Sequence, residues 1–169
     1  MNQKQTIKEM LKDTKTLFVT WLPSPGFQES AELLEGEDLA DSISNGLLTL
    51  EILTNPTFPG QNTSLAHMWR GYEAALRTYI DILVDEMRSR PQEDDEYAQE
   101  SANKILGHLE ALYPMKGITR MIQYPQWLGS PGFHQSHQAN LVCLNSQYYS
   151  QYKWKQQECE LVWPISLKS

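Results

Sequence analysis

From Ser64 to Arg90 the chain places Leu65, Met68, Trp69, Tyr72, Leu76, Tyr79, Ile80, Leu83 and Met87 at intervals of three and four residues. That period belongs to an α-helix with one apolar stripe, and a stripe this long must be covered by other elements. A strand would need alternation by two, which the run lacks. Pro91 has no N–H to continue the helix and ends it. Ser64 is the expected N-cap. The pattern predicts one continuous helix over 64–90.

Weaker copies of the same period surround it. Residues 2–14 carry Ile7 and Leu11 on one face and lysines on another, a candidate short helix. A helix is expected over Phe27–Leu34. Asp38 then caps a helix to about Leu53, with Leu39, Ile43, Leu47, Leu50 and Leu53 as its stripe and Asp38, Asp41 and Asn45 on a different face. Ile105, Leu106, Leu109 and Leu112 mark a helix over 97–113, and a last one carries His134, His137, Leu141 and Cys143. The links 17–26, 54–62 and 124–132 are rich in Pro and Gly and read as irregular chain. The acidic run Glu93–Glu96 reads as a surface loop. The tail ELVWPIS is extended and expected to pack through Trp163. The expectation is an all-α fold: a compact single-domain helical array over 18–169 with irregular links and an extended C-terminal tail, preceded by an extension over 1–17.

Composition narrows the setting. The 169 residues suffice for a core without staples. No apolar run reaches the roughly 18 residues of a membrane span, so no membrane partner is expected. The opening residues are polar and charged rather than a signal peptide. Two cysteines make no disulfide framework, and the reducing cytoplasm is the simplest home. The net charge of −7 argues against unaided nucleic-acid binding. No Lys or Arg occurs between Lys15 and Arg70, while Glu29, Glu32, Glu35, Glu37, Asp38, Asp41 and Glu51 do. Such runs are most often solvated surface.

Few constellations suggest chemistry. His134 and His137 share a helix face at i and i+3, a spacing that suits metal binding. A third ligand is lacking beyond Cys143, His67 or a distant carboxylate, so neither metal nor cofactor is expected. GQNTS lacks the phosphate-loop lysine, and GSPGF lacks the strand–turn–helix setting of a nucleophile elbow. Cys143 reads as a small core thiol before it reads as a nucleophile. Trp69 and Tyr72 read as core rather than as a base-stacking platform.

Three segments supply a resemblance. WLPSPGFQESAELL (21–34), MWRGYEAAL (68–76) and QWLGSPGFHQSHQANLV (126–142), followed by QYY and LVWP, resemble the pyrimidine-dimer DNA glycosylases of the phage endonuclease V type, in the same order. The resemblance implies a helical fold and base-excision repair. In that family an N-terminal amine attacks the sugar carbon to form a Schiff base, a helix-borne glutamate assists, and Arg and Lys hold the phosphates. An amine must be unprotonated and close to attack, a carboxylate moves protons, and cations grip any sequence.

Matched from Ser30-Ala31 without gaps, the family's basic cluster falls on Gly36, Glu37 and Asp38. Its next lysine and arginine fall on Asp41 and Ile43, and its candidate catalytic glutamate falls on Asn45. The Asn-His-Pro stretch before the central helix reads Asn62-Thr63-Ser64, and later basic positions read Gln138, Cys143 and Leu144. Relatives start close to the WLP motif, whereas about 17 residues precede Phe18 here. An asparagine cannot accept a proton at neutral pH, and carboxylates in place of cations repel a duplex. Glu51 is an alternative carboxylate on another helix face.

The sequence therefore points to a divergent, catalytically silent relative acting as a protein-binding factor. Its candidate pocket is Asn45, His134, His137 and Asn140, and its candidate partner-binding residues are Glu35, Glu37, Asp38 and Asp41, facing a basic protein surface. DNA is a weaker partner. One alternative is an active glycosylase and AP lyase in which His134 or His137 serves as acid–base and the lysine-bearing N-terminus supplies grip and an amine. Another is a structural or assembly component.

Overall fold

The computed structural model describes residues 17–115, 121–155 and 158–164. The expected helix over 2–14 lies outside the described residues. Among those described, the chain forms a compact array of seven α-helices with no strand. They are α1 (Phe27–Leu33), α2 (Gly36–Thr54), α3 (Ser64–Trp69), α4 (Glu73–Ser89), α5 (Asp95–Leu112), α6 (Pro131–Leu144) and α7 (Ser146–Tyr149). A short 3-10 turn, Ser150–Tyr152, follows α7.

The apolar stripe makes α4 the centre. Leu76, Tyr79, Ile80, Leu83 and Val84 are fully buried, each contributing about 1.5–3 kcal/mol relative to exposure. Its main partner is α2, with α1 and α5 on its other sides. The α2–α4 approach is close at Gly46, where a Cβ would stand 2.9 Å from Ile80 Cγ1. Arg77, 6% exposed, ties α4 to α5 through Glu110 at 3.1 Å and the Tyr113 carbonyl at 2.5 Å. Trp69, Trp127 and Phe133 form the aromatic centre, with Trp69 and Trp127 edge to face at 5.1 Å. Trp163 packs on this core.

Several local expectations are corrected. The stretch 64–90 is two helices rather than one. Gly71 takes φ +90, where a side chain would be strained, and the Tyr72 N–H turns back to the Trp69 carbonyl at 2.8 Å. The apolar spacing continues across the break because Trp69 and Tyr72 still face the core. The caps fall earlier than expected. Glu35, not Asp38, caps α2 by accepting from the Glu37 N–H at 2.9 Å. Thr63, not Ser64, caps α3. Asp95 and Glu96 belong to the first turn of α5, capped by Asp94, where negative charge suits the helix dipole. Cys143 is not a core thiol: it is exposed and joined to Cys159 in a disulfide, the Cα atoms 6.4 Å apart.

Candidate functional site

The segment 19–24 is buried and irregular, and among the described residues it has no strand beside it. Its backbone polar groups must therefore be met by side chains, since leaving them unpaired costs about 1–3 kcal/mol each. Helices on every side supply them. From α2, Asn45 Nδ2 donates to the Val19 carbonyl at 2.9 Å, and Ser42 Oγ accepts from the Trp21 N–H at 3.0 Å. The Tyr79 hydroxyl of α4 donates to the Trp21 carbonyl. From α6, His137 Nδ1 accepts from the Leu22 N–H at 2.9 Å, His134 Nδ1 bonds the Leu22 carbonyl at 2.8 Å, and Gln138 donates to the Pro23 carbonyl at 2.8 Å. Ser30 Oγ closes the series by accepting from the Ser24 N–H and donating to its carbonyl.

This accounts for the placement of the sequence-derived candidates. Asn45, His134 and His137 converge on one peptide segment, and each is spent on its backbone. Asn45 is 4% exposed. The Gly129 N–H donates to His134 Nε2 at 2.8 Å, so the His134 proton sits on Nδ1, toward Leu22. Burial pushes the His134 pKa below its usual value, against the pull of the Leu22 carbonyl. Burial, with the neighbouring His134, lowers His137 to about 3. Both imidazoles are thus neutral at pH 7. Asn140, on the same helix, donates to the Ser136 carbonyl at 2.8 Å.

Two cavities flank the segment. One, of about 590 Å³, lies between α1 and α6; Pro23, Pro25, Glu29, His134, Tyr152 and Trp154 are among its walls. The other, of about 340 Å³, gathers all four candidate carboxylates, Glu35, Glu37, Asp38 and Asp41, with Leu17, Trp21, Leu144 and Asn145. Here the carboxylates come together because they occupy the first turns of α2 and the residue before it. Asp38 is held by the Tyr149 hydroxyl, which donates to Oδ2 at 2.5 Å and accepts from the Glu35 N–H at 2.9 Å. Burial raises the Asp38 pKa; the Tyr149 hydrogen bond works against that, and Glu35, Asp41 and Glu37 add repulsion. Asp41 is raised by burial and by Glu35.

The sequence reading missed the apolar half of this cavity. Leu17 and Leu144 are 41% and 58% exposed, unusual for leucines, and stand beside the carboxylates. Leu17 and Trp21 share one segment, but Leu144 comes from the far end of the chain, and no local pattern relates it to them. Glu51, the alternative carboxylate, faces His108 of α5 at 3.5 Å rather than Asn45's partners.

The fold and site define a helical scaffold clamped around an irregular N-terminal segment, with an acidic, leucine-rimmed cavity beside it. Residues 18–99 match the model of a family described as pyrimidine dimer DNA glycosylase. That stretch runs from Phe18 into α5, covers just under half of the 169 residues, and holds Asn45 and all four carboxylates. Over it the chain is similar to that family, in line with the WLPSPGFQESAELL and MWRGYEAAL motifs. The match ends before α6, so the C-terminal motif rests on its resemblance alone. No curated protein and no solved structure matches the chain. Among the described residues no helix is long and apolar enough to cross a membrane.

Proposed function

We propose that this chain is a divergent, catalytically silent member of the glycosylase family that binds a basic protein surface through the cavity beside α2. One observation carries the reading: Glu35, Glu37, Asp38 and Asp41 converge on a single cavity with a leucine and tryptophan rim. A lysine or arginine side chain matches both halves, its alkyl stem against Leu17, Trp21 and Leu144 and its charged head among the carboxylates. The same carboxylates repel a phosphate backbone.

Two features support the loss of chemistry. The position that the family resemblance gives to a catalytic glutamate holds Asn45, whose amide is donated to Val19. The nitrogen of Phe18, at the start of the family segment, is a peptide amide following Leu17, and its lone pair is delocalised into the carbonyl. Such a nitrogen does not attack a sugar carbon. Similarity to the family itself favours the second reading, an active glycosylase and AP lyase, with an amine supplied from elsewhere.

Binding of a fluorescent oligolysine peptide, followed by anisotropy, tests the proposal. Affinity should fall as salt rises and drop by about tenfold or more in the triple variant Glu37→Gln, Asp38→Asn, Asp41→Asn. Equal affinity of the variant and the native protein would sink it.

A further inference from the structure

The disulfide stands where the C-terminal strap meets the end of α6. Cys143 is in the last turn of α6, and Cys159 is the second residue of the described strap 158–164. The bridge closes a chain separation of 16 residues, and both cysteines are exposed, within reach of a thiol reagent. Among the described contacts, the Val162 N–H donates to Ser136 Oγ at 3.0 Å, Cys159 Sγ lies 3.9 Å from the Ala139 carbonyl oxygen, and Leu161 and Trp163 pack on the core. The next two residues after Cys143 are Leu144 and Asn145, both walls of the acidic cavity. Asn145 also caps α7 by accepting from the Tyr148 N–H at 3.2 Å, and Tyr149 of α7 reaches Asp38. One covalent bond thus fastens the strap to the turn that lines the cavity.

We infer that Cys143–Cys159 is a reversible redox clasp: oxidised, it locks strap 158–164 onto α6 and fixes the Leu144–Asn145 wall; reduced, it releases both. The exchange needs a dithiol. Its thiolate attacks one sulfur, the second thiol resolves the mixed disulfide, and the reagent leaves oxidised while Cys143 and Cys159 each gain a proton. The site has the features such an exchange needs: both cysteines are exposed, and their bond joins the strap to the end of α6. A loop of this length draws substantial restraint from its bridge, and its release lowers the local opening free energy at that end of α6. The effect on the cavity rests on the function proposed above; the clasp itself does not.

The test compares the full chain oxidised, reduced with dithiothreitol, and as the Cys143→Ser/Cys159→Ser variant, with near-UV circular dichroism confirming that each is folded. Intact mass should show the oxidised form lighter by two hydrogens. Hydrogen exchange at the Val162 amide should rise on the order of tenfold on reduction and in the double variant, with oligolysine binding weakened in parallel. Oligolysine binding absent in every state, alongside faster Val162 exchange, would support the clasp and overturn the cavity's proposed partner. Val162 exchange unchanged by reduction, or two thiols that an oxidised dithiol cannot join, would overturn the clasp.

Discussion

Replacing Asn45 by Asp restores a carboxyl at the position the family resemblance gives to a glutamate, and it should destabilise this chain at neutral pH. Asn45 is 4% exposed and its Nδ2 donates to the Val19 carbonyl at 2.9 Å. An ionised Asp places an acceptor against that acceptor, out of water. Burial of a carboxyl with an opposing carbonyl raises its pKa, to about 6.5 as an order of magnitude. Against an unfolded value near 3.9, at 1.36 kcal/mol per pH unit, the cost at pH 7.5 is about 3.5 kcal/mol. The sign follows from the raised folded pKa. The penalty is complete above the folded value, shrinks as pH falls through it, and vanishes below the unfolded value, where a protonated Asp donates to Val19 as Asn does. At pH 4.5 the gap should therefore close to about 1 kcal/mol. Urea unfolding of both proteins at the two pH values, followed by tryptophan fluorescence, measures it. A variant within about 0.5 kcal/mol of the native protein at pH 7.5, with no pH-dependent gap, would refute the assignment of Asn45 as a buried backbone partner.

Gly46→Ala should cost about 1–3 kcal/mol, because its Cβ meets Ile80 Cγ1 at 2.9 Å between two packed helices; a melting temperature equal to the native one would contradict the close α2–α4 contact. His137 should remain neutral through mildly acidic pH, its folded pKa being lowered to about 3 by burial and by His134. An unfolded chain protonates this side chain near 6.5, so its contribution to stability is present above pH 6.5 and lost as pH falls from there toward 3. Nuclear magnetic resonance of the imidazole settles the point, and a midpoint near 6.5 in the folded protein would be the wrong result for a clamp on Leu22.

The helical class was legible because burial along α4 is written in local spacing: Leu76, Tyr79, Ile80 and Leu83 repeat with the helix. The break at Gly71 was not, since the apolar period continues through it while only the backbone changes. The polar face of α2 misled for a related reason. Asp38, Asp41 and Asn45 look alike as a hydrophilic stripe, but Asn45 and Ser42 are buried beneath a segment 26 and 21 residues earlier in the chain. The i, i+3 spacing of His134 and His137 marked a shared face correctly. Their target, Leu22, lies 112 and 115 residues away, and no local pattern could name it. The four carboxylates were visible as a charge run, but their gathering with Leu144 and Trp21 depends on how α6 returns to α2. The pairing of Cys143 with Cys159 is equally a product of the strap's path.

Borohydride trapping on a duplex carrying an abasic site tests the central claim most directly, because it captures any amine of this chain that forms a Schiff base with the exposed sugar. Asn45 is spent on Val19 and the nitrogen of Phe18 is a peptide amide, so no covalent protein–DNA band should form under conditions in which an active glycosylase and lyase is trapped. A borohydride-dependent adduct, abolished by blocking the protein's amines, would contradict the account and make the chain a working lyase.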